Sequence, residues 1–172
     1  MPLFAHVGIG FAAKRIAPKI PIWALLISAL GPDIIAIFFI FMPTFKWFHH
    51  GLVMVIIWSL IAMGITIFFN MYLNSRIDQE EKQKVTQLIY PTAIIIALLV
   101  FSHWVLDFIG WPMSAINPAA TGIPLFFNDL LLVGLGVYRT WFGVLTMEIG
   151  GLVPGILIYI YCIKKAKNEN RE

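Results

Sequence analysis

The chain has 172 residues, of which 60% are hydrophobic and only 12% are charged. These proportions lie well outside those of soluble proteins and indicate an integral membrane protein. The net charge of +3 comes without a basic groove interleaved with aromatic side chains, so nucleic acid is not an expected partner. The lone Cys162 argues against a disulfide framework or a thiolate cluster. Any bound metal ion would therefore need nitrogen and oxygen ligands.

The first 19 residues consist of a short apolar stretch followed by Lys14, Arg15 and Lys19. In a cleavable signal peptide the basic residues precede the apolar ones, so we expect the chain to be retained whole. The stretch is too short to cross a bilayer and is predicted to be an amphipathic or re-entrant segment. By spacing alone, His6 is an incidental histidine of an interfacial helix; it reaches the bundle only if residues 1–13 fold back into it.

Four apolar runs follow, at residues 20–42, 51–73, 88–109 and 140–163, each close to the roughly 20 residues that span the hydrocarbon core. The charged stretch between the second and third runs is predicted to be a solvated cytoplasmic loop. The region around 124–138 is apolar but interrupted by proline, glycine and polar residues, which favours an interfacial or re-entrant segment. The predicted fold is all-α: one polytopic membrane helix bundle, residues 1–172, with about four transmembrane helices.

The basic residues predict the orientation of this bundle. With four spans and both termini in the cytoplasm, ten of the twelve lysines and arginines lie inside, and only Lys46 and Arg139 lie outside. This distribution follows the positive-inside rule, whereas a fifth span at 124–138 would move the basic C-terminal tail across the membrane. Tryptophans near the predicted span ends are expected in the interfacial belt, in contact with membrane lipids: Trp47, Trp104, Trp111 and Trp141.

Ionisable residues inside the apolar runs are the candidate functional residues. An isolated charge there costs about 2.5 to 3.5 kcal/mol. His103 and Asp107 are four residues apart and share one face of a helix. Counting residues from the cytoplasmic ends brings Asp33 and His50 to a similar depth in the outer half of the bundle. Two imidazoles and two carboxylates suit Zn²⁺, Mn²⁺ or Fe²⁺, and such an ion would offset the cost of burial.

Three assignments stay open on these grounds. His49 and His50 are adjacent and point to different faces of a helix, and we favour His50, which lies further into its run. Glu148 is a candidate general base if it reaches a water at the metal. Taken singly, Asp33 or Glu148 could equally serve as an interhelical hydrogen-bonding group.

Four segments occur in the order found in a family of small bacterial inner-membrane proteins: HVGIGFAAKRIAPKIPIWALLISALGPDI, FHHGLVMVIIWSL, FSHWVLDFIGW and VGLGVYRTWFGVLTMEIG. On these segments the chain resembles the YdjM-like predicted membrane-bound metal-dependent hydrolases, and its pattern is similar to that of zinc-dependent phospholipases C. The resemblance implies zinc, an inner-membrane location and a set of family positions, with Glu148 in the last block: His6, Asp33, His50, His103 and Asp107. Where many relatives have a second histidine, this chain reads Gly110-Trp111-Pro112, which weighs against a complete two-metal site.

The leading hypothesis is a membrane-embedded metal-dependent hydrolase that acts on a lipid or phosphoester. The alternative is a small transporter, or a proton or cation relay, that uses the same intramembrane residues. A haem protein with His50 and His103 as axial ligands fits the accompanying carboxylates poorly, and a structural or partner-binding role remains. Metal content, transport in proteoliposomes and the colour of the purified protein distinguish these hypotheses.

Overall fold

The computed structural model describes residues 3–38, 48, 50–74, 79–128 and 130–169. These residues are mostly helical, as predicted, and they form six α-helices: α1 (Leu3–Ala12), α2 (Ile22–Ala29), α3 (Gly31–Phe38), α4 (Leu52–Asn74), α5 (Gln79–Gly110) and α6 (Trp141–Glu169). Short 3₁₀ turns lie at Ala13–Arg15 and Val137–Arg139. A two-residue strand β1 (Ile123–Pro124) pairs antiparallel with β2 (Leu132–Val133).

Three helices in the described part of the chain are long and apolar enough to cross a membrane: Leu52–Leu73 in α4, Thr86–Gly110 in α5 and Trp141–Glu169 in α6. They correspond to the second, third and fourth predicted runs. In the most apolar window of each helix, only 17% to 39% of the residues are buried inside the protein. Most of the apolar surface of these helices therefore faces outward. A helix that is apolar on its outward face is suited to lipid rather than to water.

The first predicted run, residues 20–42, differs from the single helix expected, because α2 ends at Ala29 and α3 begins at Gly31. Leu30 lies between them with φ −97° and ψ 1°, outside the α-helical region. Pro32 explains the break, since it has no backbone N–H to donate to the carbonyl of Ser28 four residues earlier and its ring crowds that carbonyl. Residues 39–42 lie outside the described part, and the four-span count stays a prediction.

The charged stretch predicted as a loop is largely helical. α5 begins at Gln79, nine residues before the apolar run at 88, and continues without interruption to Gly110. The extension is rich in glutamine, glutamate and lysine, which are strong helix formers. The described part of the predicted loop is therefore helix, and residues 75–78 lie outside the described part.

α1 runs parallel to α6 at very short distance. The rings of Phe11 and Tyr159 are in contact, with centroids 5.2 Å apart and planes tilted by 41°, and further along the pair the two backbones meet at glycines. A Cβ on Gly155 would overlap the carbonyl group of Gly8, and one on Gly151 would lie 2.7 Å from a backbone atom of α1. Glycines four residues apart on a helix allow this kind of close packing within membranes, and the contact fixes where α1 lies.

The bundle has two distinct ends. At the end that we call the basic end, Lys19, Asn70 and Leu88 line one groove, so the start of α2, the end of α4 and the beginning of the apolar part of α5 lie together. The other end, which we call the capped end, is covered by residues 111–140, the cap segment. The N–H of Val53 donates to a cap-segment carbonyl at 3.4 Å.

The predicted interfacial or re-entrant region, 124–138, belongs to this cap segment. Its described residues form the β1–β2 ladder and a 3₁₀ turn, which agrees with the irregular backbone expected there. Trp111, Ile123 and Tyr138 pack together as a small core of their own. The cap segment is therefore held by packing and lies directly over the ionisable residues of the bundle.

Candidate metal centre

His103 lies at the centre of the buried ionisable residues, on α5 and 0% exposed. Its Nδ1 lies 3.1 Å from the carbonyl oxygen of Ala29. Because Ala29 ends α2, its carbonyl has no partner from the helix's own repeat, and the Nδ1–H of His103 donates to it. This bond selects the tautomer whose Nε2 carries a lone pair, the arrangement typical of a metal-binding histidine.

Two carboxylates face the free nitrogen of His103. Its Nε2 lies 3.5 Å from Oδ1 of Asp33 and 3.5 Å from Oδ2 of Asp107. Asp107 is one turn further along α5, and Asp33 is in the first turn of α3, where the helix dipole favours a negative charge. Two ligand atoms bound to one tetrahedral zinc at 2.0 to 2.1 Å are about 3.3 Å apart, so these separations suit joint ligation.

His50 and His6 complete the cluster from two other elements. Nδ1 of His50, just before α4, lies 2.8 Å from Oδ2 of Asp107. Nε2 of His6 lies 3.9 Å from Oδ1 of Asp107 and 3.2 Å from the backbone carbonyl oxygen of His103. His6 is 1% exposed, which differs from the exposure of an incidental histidine on an interfacial helix. α1 is thus folded back into the bundle with His6 at its inner end.

The two buried carboxylates distinguish this cluster from an ordinary polar core. The carboxylate oxygens of Asp33 and Asp107 are buried, and none accepts a hydrogen bond of standard geometry within the described part of the chain. Buried carboxylates are costly unless they are paired or coordinate a metal. The nearby imidazole nitrogens and these oxygens point towards shared space, so the group could hold a metal ion.

The cluster divides into two sets of three residues, within each of which one ligand atom per residue lies within 4.8 Å of the others. One set is His6, Asp33 and His103; the other is His50, His103 and Asp107. Both sets use His103, whose Nδ1 is engaged by Ala29, so its single free lone pair can bind one ion at a time. Among the described residues the geometry therefore fits one metal ion better than two.

Glu148, the predicted general base, belongs to neither set. Its Oε2 accepts a hydrogen bond of 2.9 Å from the backbone N–H of Ala5, in the first turn of α1 and next to His6. Tyr138 of the cap segment is fully buried nearby. Burial raises the pKa of its phenol, and the Glu148 carboxylate, with a smaller effect of Asp107, raises it further. The phenol thus stays protonated and able to donate.

Three features of the site were missed from sequence. Tyr138 lies beside Arg139 in an interrupted apolar segment, a position that indicates a membrane interface rather than a buried site. The role of the Ala29 carbonyl cannot be predicted from sequence, because every residue has a backbone carbonyl and only the fold decides which one meets His103. Trp111, expected in the interfacial belt, is instead 7% exposed with its ring centroid 6.3 Å from that of His50, because the cap segment folds back over the bundle. His49 lies outside the described residues.

Comparison with known proteins gives no relative: no family model matches the chain, and no curated protein or solved structure matches it significantly.

Proposed function

We propose that this protein is a membrane-embedded metal-dependent hydrolase of the YdjM-like kind, acting on a lipid or phosphoester. The observation that carries the proposal is the buried set of three histidines and two aspartates, accompanied by a further carboxylate that takes no part in either ligand set. A structural zinc site is usually closed by four protein ligands, whereas a catalytic site has three and leaves one position open. Each set here has three residues.

Zinc fits the imidazole and carboxylate donors best, and manganese or iron fit the same donors. When bound, the ion would supply Lewis-acid activation of water and of the substrate's ester or phosphoryl oxygen. Glu148 would accept the proton of the attacking water and return it to the alcohol that leaves as the ester or phosphoester bond breaks, and the N–H of Ala5 holds its carboxylate in place. Tyr138, buried beside Glu148, would offer its hydroxyl to a substrate oxygen.

The proposed membrane arrangement has four spans, with α2 and α3 as one broken crossing. α1 is a re-entrant helix that runs parallel to α6, with its C-terminal end at the basic end and its start within the bundle beside Glu148, and the cap segment lies at the outer interface. The C-terminus is then cytoplasmic, in a cell inner membrane. Support comes from the basic end, where Lys19 lies beside the end of α4 and the beginning of the apolar part of α5. The positive-inside rule assigns both of these helix ends to the cytoplasm.

Metal analysis and hydrolysis assays on the same purified variants test the proposal. Wild-type protein should contain about one transition-metal ion per chain and cleave a phospholipid or an aryl phosphodiester, and His103→Gln should lose both. Glu148→Gln should retain the metal and lose turnover by a factor of about 10² to 10⁴. Ser59→Ala removes a buried hydroxyl that bonds only its own helix, at Val55, and serves as the matched control.

A wild-type protein without bound metal, or a His103→Gln variant with unchanged metal content, would contradict the site. If the metal is present but no ester is cleaved, cation or proton flux in proteoliposomes that disappears in Asp33→Asn would favour the relay instead.

A further inference from the structure

A second cavity lies at the basic end of the bundle, away from the metal centre. It is a half-open groove of about 640 Å³ between α2, α4 and α5. Along α5 it extends from Leu88 to Ile96, a rise of about 12 Å. His103 lies seven residues beyond Ile96, about 10 Å further along the helix. The groove is therefore a separate site whose length approaches the thickness of one leaflet, about half of 30 Å.

The walls of the groove suit a hydrocarbon chain. Most of the lining side chains are aliphatic or aromatic, Trp23 among them. The hydroxyl of Thr66 and the amide of Asn70 each donate to a carbonyl four residues earlier on α4. Because these donors are satisfied within their own helix, they offer a ligand little beyond shape.

Charge is confined to one end of the groove. Lys19 is the single charged residue among the described residues that line it. It is exposed, and it forms no ion pair within the described part of the chain. The side chain of Lys14 donates a hydrogen bond to the carbonyl of Ile20 at 2.7 Å. This bond spans the short connection between α1 and α2 that carries Lys19. An apolar groove with one cationic end is complementary to a molecule with one hydrocarbon chain and one anionic group.

We propose that this groove binds an anionic phospholipid, with an acyl chain along α5 and the phosphate beside Lys19. Two of its three walls, α4 and α5, are helices of membrane-spanning length, which makes a lipid the molecule present there at highest concentration. Basic pockets between transmembrane helices on the cytoplasmic side recognise anionic headgroups, and cationic side chains at that surface strengthen the attraction. The proposal concerns a site apart from the metal centre and does not depend on hydrolysis.

Native mass spectrometry of the full chain, released from micelles with equal amounts of phosphatidylglycerol and phosphatidylcholine, tests the proposal. Wild-type protein should retain one phosphatidylglycerol, favoured over phosphatidylcholine about fivefold. Lys19→Gln should reduce this ratio to near one. Lys165→Gln removes a cation that is 62% exposed near the end of α6 and should leave the ratio unchanged.

A second pair of variants tests the apolar part of the groove. Thr66→Phe fills the groove and should remove the retained lipid, whereas Thr66→Val preserves its shape and should not. Thermal melting of each variant shows that the fold is intact. The proposal is overturned if wild-type protein shows no preference, if Lys165→Gln lowers the ratio as much as Lys19→Gln, or if a folded Thr66→Phe variant retains lipid as the wild type does.

Discussion

His103 has a role in the site that neither carboxylate shares, because the backbone holds one of its ring nitrogens and the other faces both carboxylates. Ala29 orients the ring through Nδ1, and Nε2 faces Asp33 and Asp107 at equal distances. Such a partner on the far side of a metal-binding histidine fixes the tautomer and raises the basicity of the ligand nitrogen. Both candidate ligand sets therefore depend on this one residue.

The two ligand sets predict unequal effects for the two remaining histidines. His50 lies 2.8 Å from Asp107, whereas His6 lies 3.9 Å from it, so we expect the ion to be bound mainly by His50, His103 and Asp107. His50→Gln should weaken zinc affinity by 100-fold or more, and His6→Gln, acting from the outer shell, by about 10-fold. Competition titration with a zinc chelator measures both. A greater loss in His6→Gln would assign the ion to the other set, and equal losses would contradict a site formed mainly by His50, His103 and Asp107.

At the residue scale, the sequence predicted the part of the site that depends on helical geometry. The four-residue spacing placed His103 and Asp107 on one face, and counting along the runs placed Asp33 at their depth. His6 came from family resemblance alone, because its position depends on the contact between α1 and α6. Tyr138 was missed, since nothing local predicts that the cap segment folds back.

Among the elements, the break between α2 and α3 contributes most to the site. Pro32 ends the regular hydrogen bonding of the first run and so produces two helix ends at one place. The C-terminal end of α2 supplies the Ala29 carbonyl for His103, and the N-terminal turn of α3 supplies Asp33. In a straight helix through residues 20–42 the Ala29 carbonyl would not be free for His103, because it would be engaged by the helix's own hydrogen bonding.

The contact between α1 and α6 predicts contrasting effects of two neighbouring glycine substitutions. Gly155→Ala places a Cβ against the backbone of Gly8, whereas Gly150→Ala meets no atom within 4 Å. Overpacking of this kind costs about 1 to 3 kcal/mol, while alanine in an open helical position is neutral or slightly stabilising. Thermal unfolding in detergent should therefore show a lower Tm for Gly155→Ala alone.

Metal affinity gives a second measurement on the same pair of variants. Because α1 carries His6, Gly155→Ala should also weaken metal binding, and Gly150→Ala should not. Equal stability of the two variants would mean that α1 does not pack on α6 through these glycines.

The elements that the sequence predicted best are those with uninterrupted apolar runs, such as residues 51–73, which correspond to α4. The beginning of α5 was missed because hydropathy marks where a helix becomes apolar, not where it begins. The kink at Pro32 was missed for a related reason: a 23-residue apolar run satisfies a length criterion whether or not its backbone is continuous.

For the whole molecule, the arrangement of the two ends predicts on which side each lies. In a Cys162→Ser background, single cysteines at Ile16 and Asn168 should be protected from a membrane-impermeant maleimide in intact cells and react in inverted vesicles. A cysteine at Ser114, in the cap segment, should show the reverse pattern. Reaction of positions 16 and 168 from opposite sides would contradict a fourth crossing by α2 and α3.

Metal removal should affect the stability of the whole bundle, because the cluster joins α1, α3, α5 and the beginning of α4 through five side chains. Without an ion, the buried carboxylates of Asp33 and Asp107 face each other across His103 with no hydrogen bond of standard geometry from the described residues. An ion present at about 1,000 times its Kd stabilises the folded state by about 4 kcal/mol, equivalent to a Tm change on the order of 10 °C.

A chelator should therefore lower the Tm by that amount, and zinc should restore it whereas magnesium should not, since magnesium prefers oxygen ligands. His103→Gln provides the control, because a variant that binds no ion should melt at the same temperature with and without chelator. If the wild type also melts at one temperature, the cluster is held together by contacts between histidine and carboxylate alone. A melting shift that depends on His103 instead ties the stability of four separate elements to one bound cation.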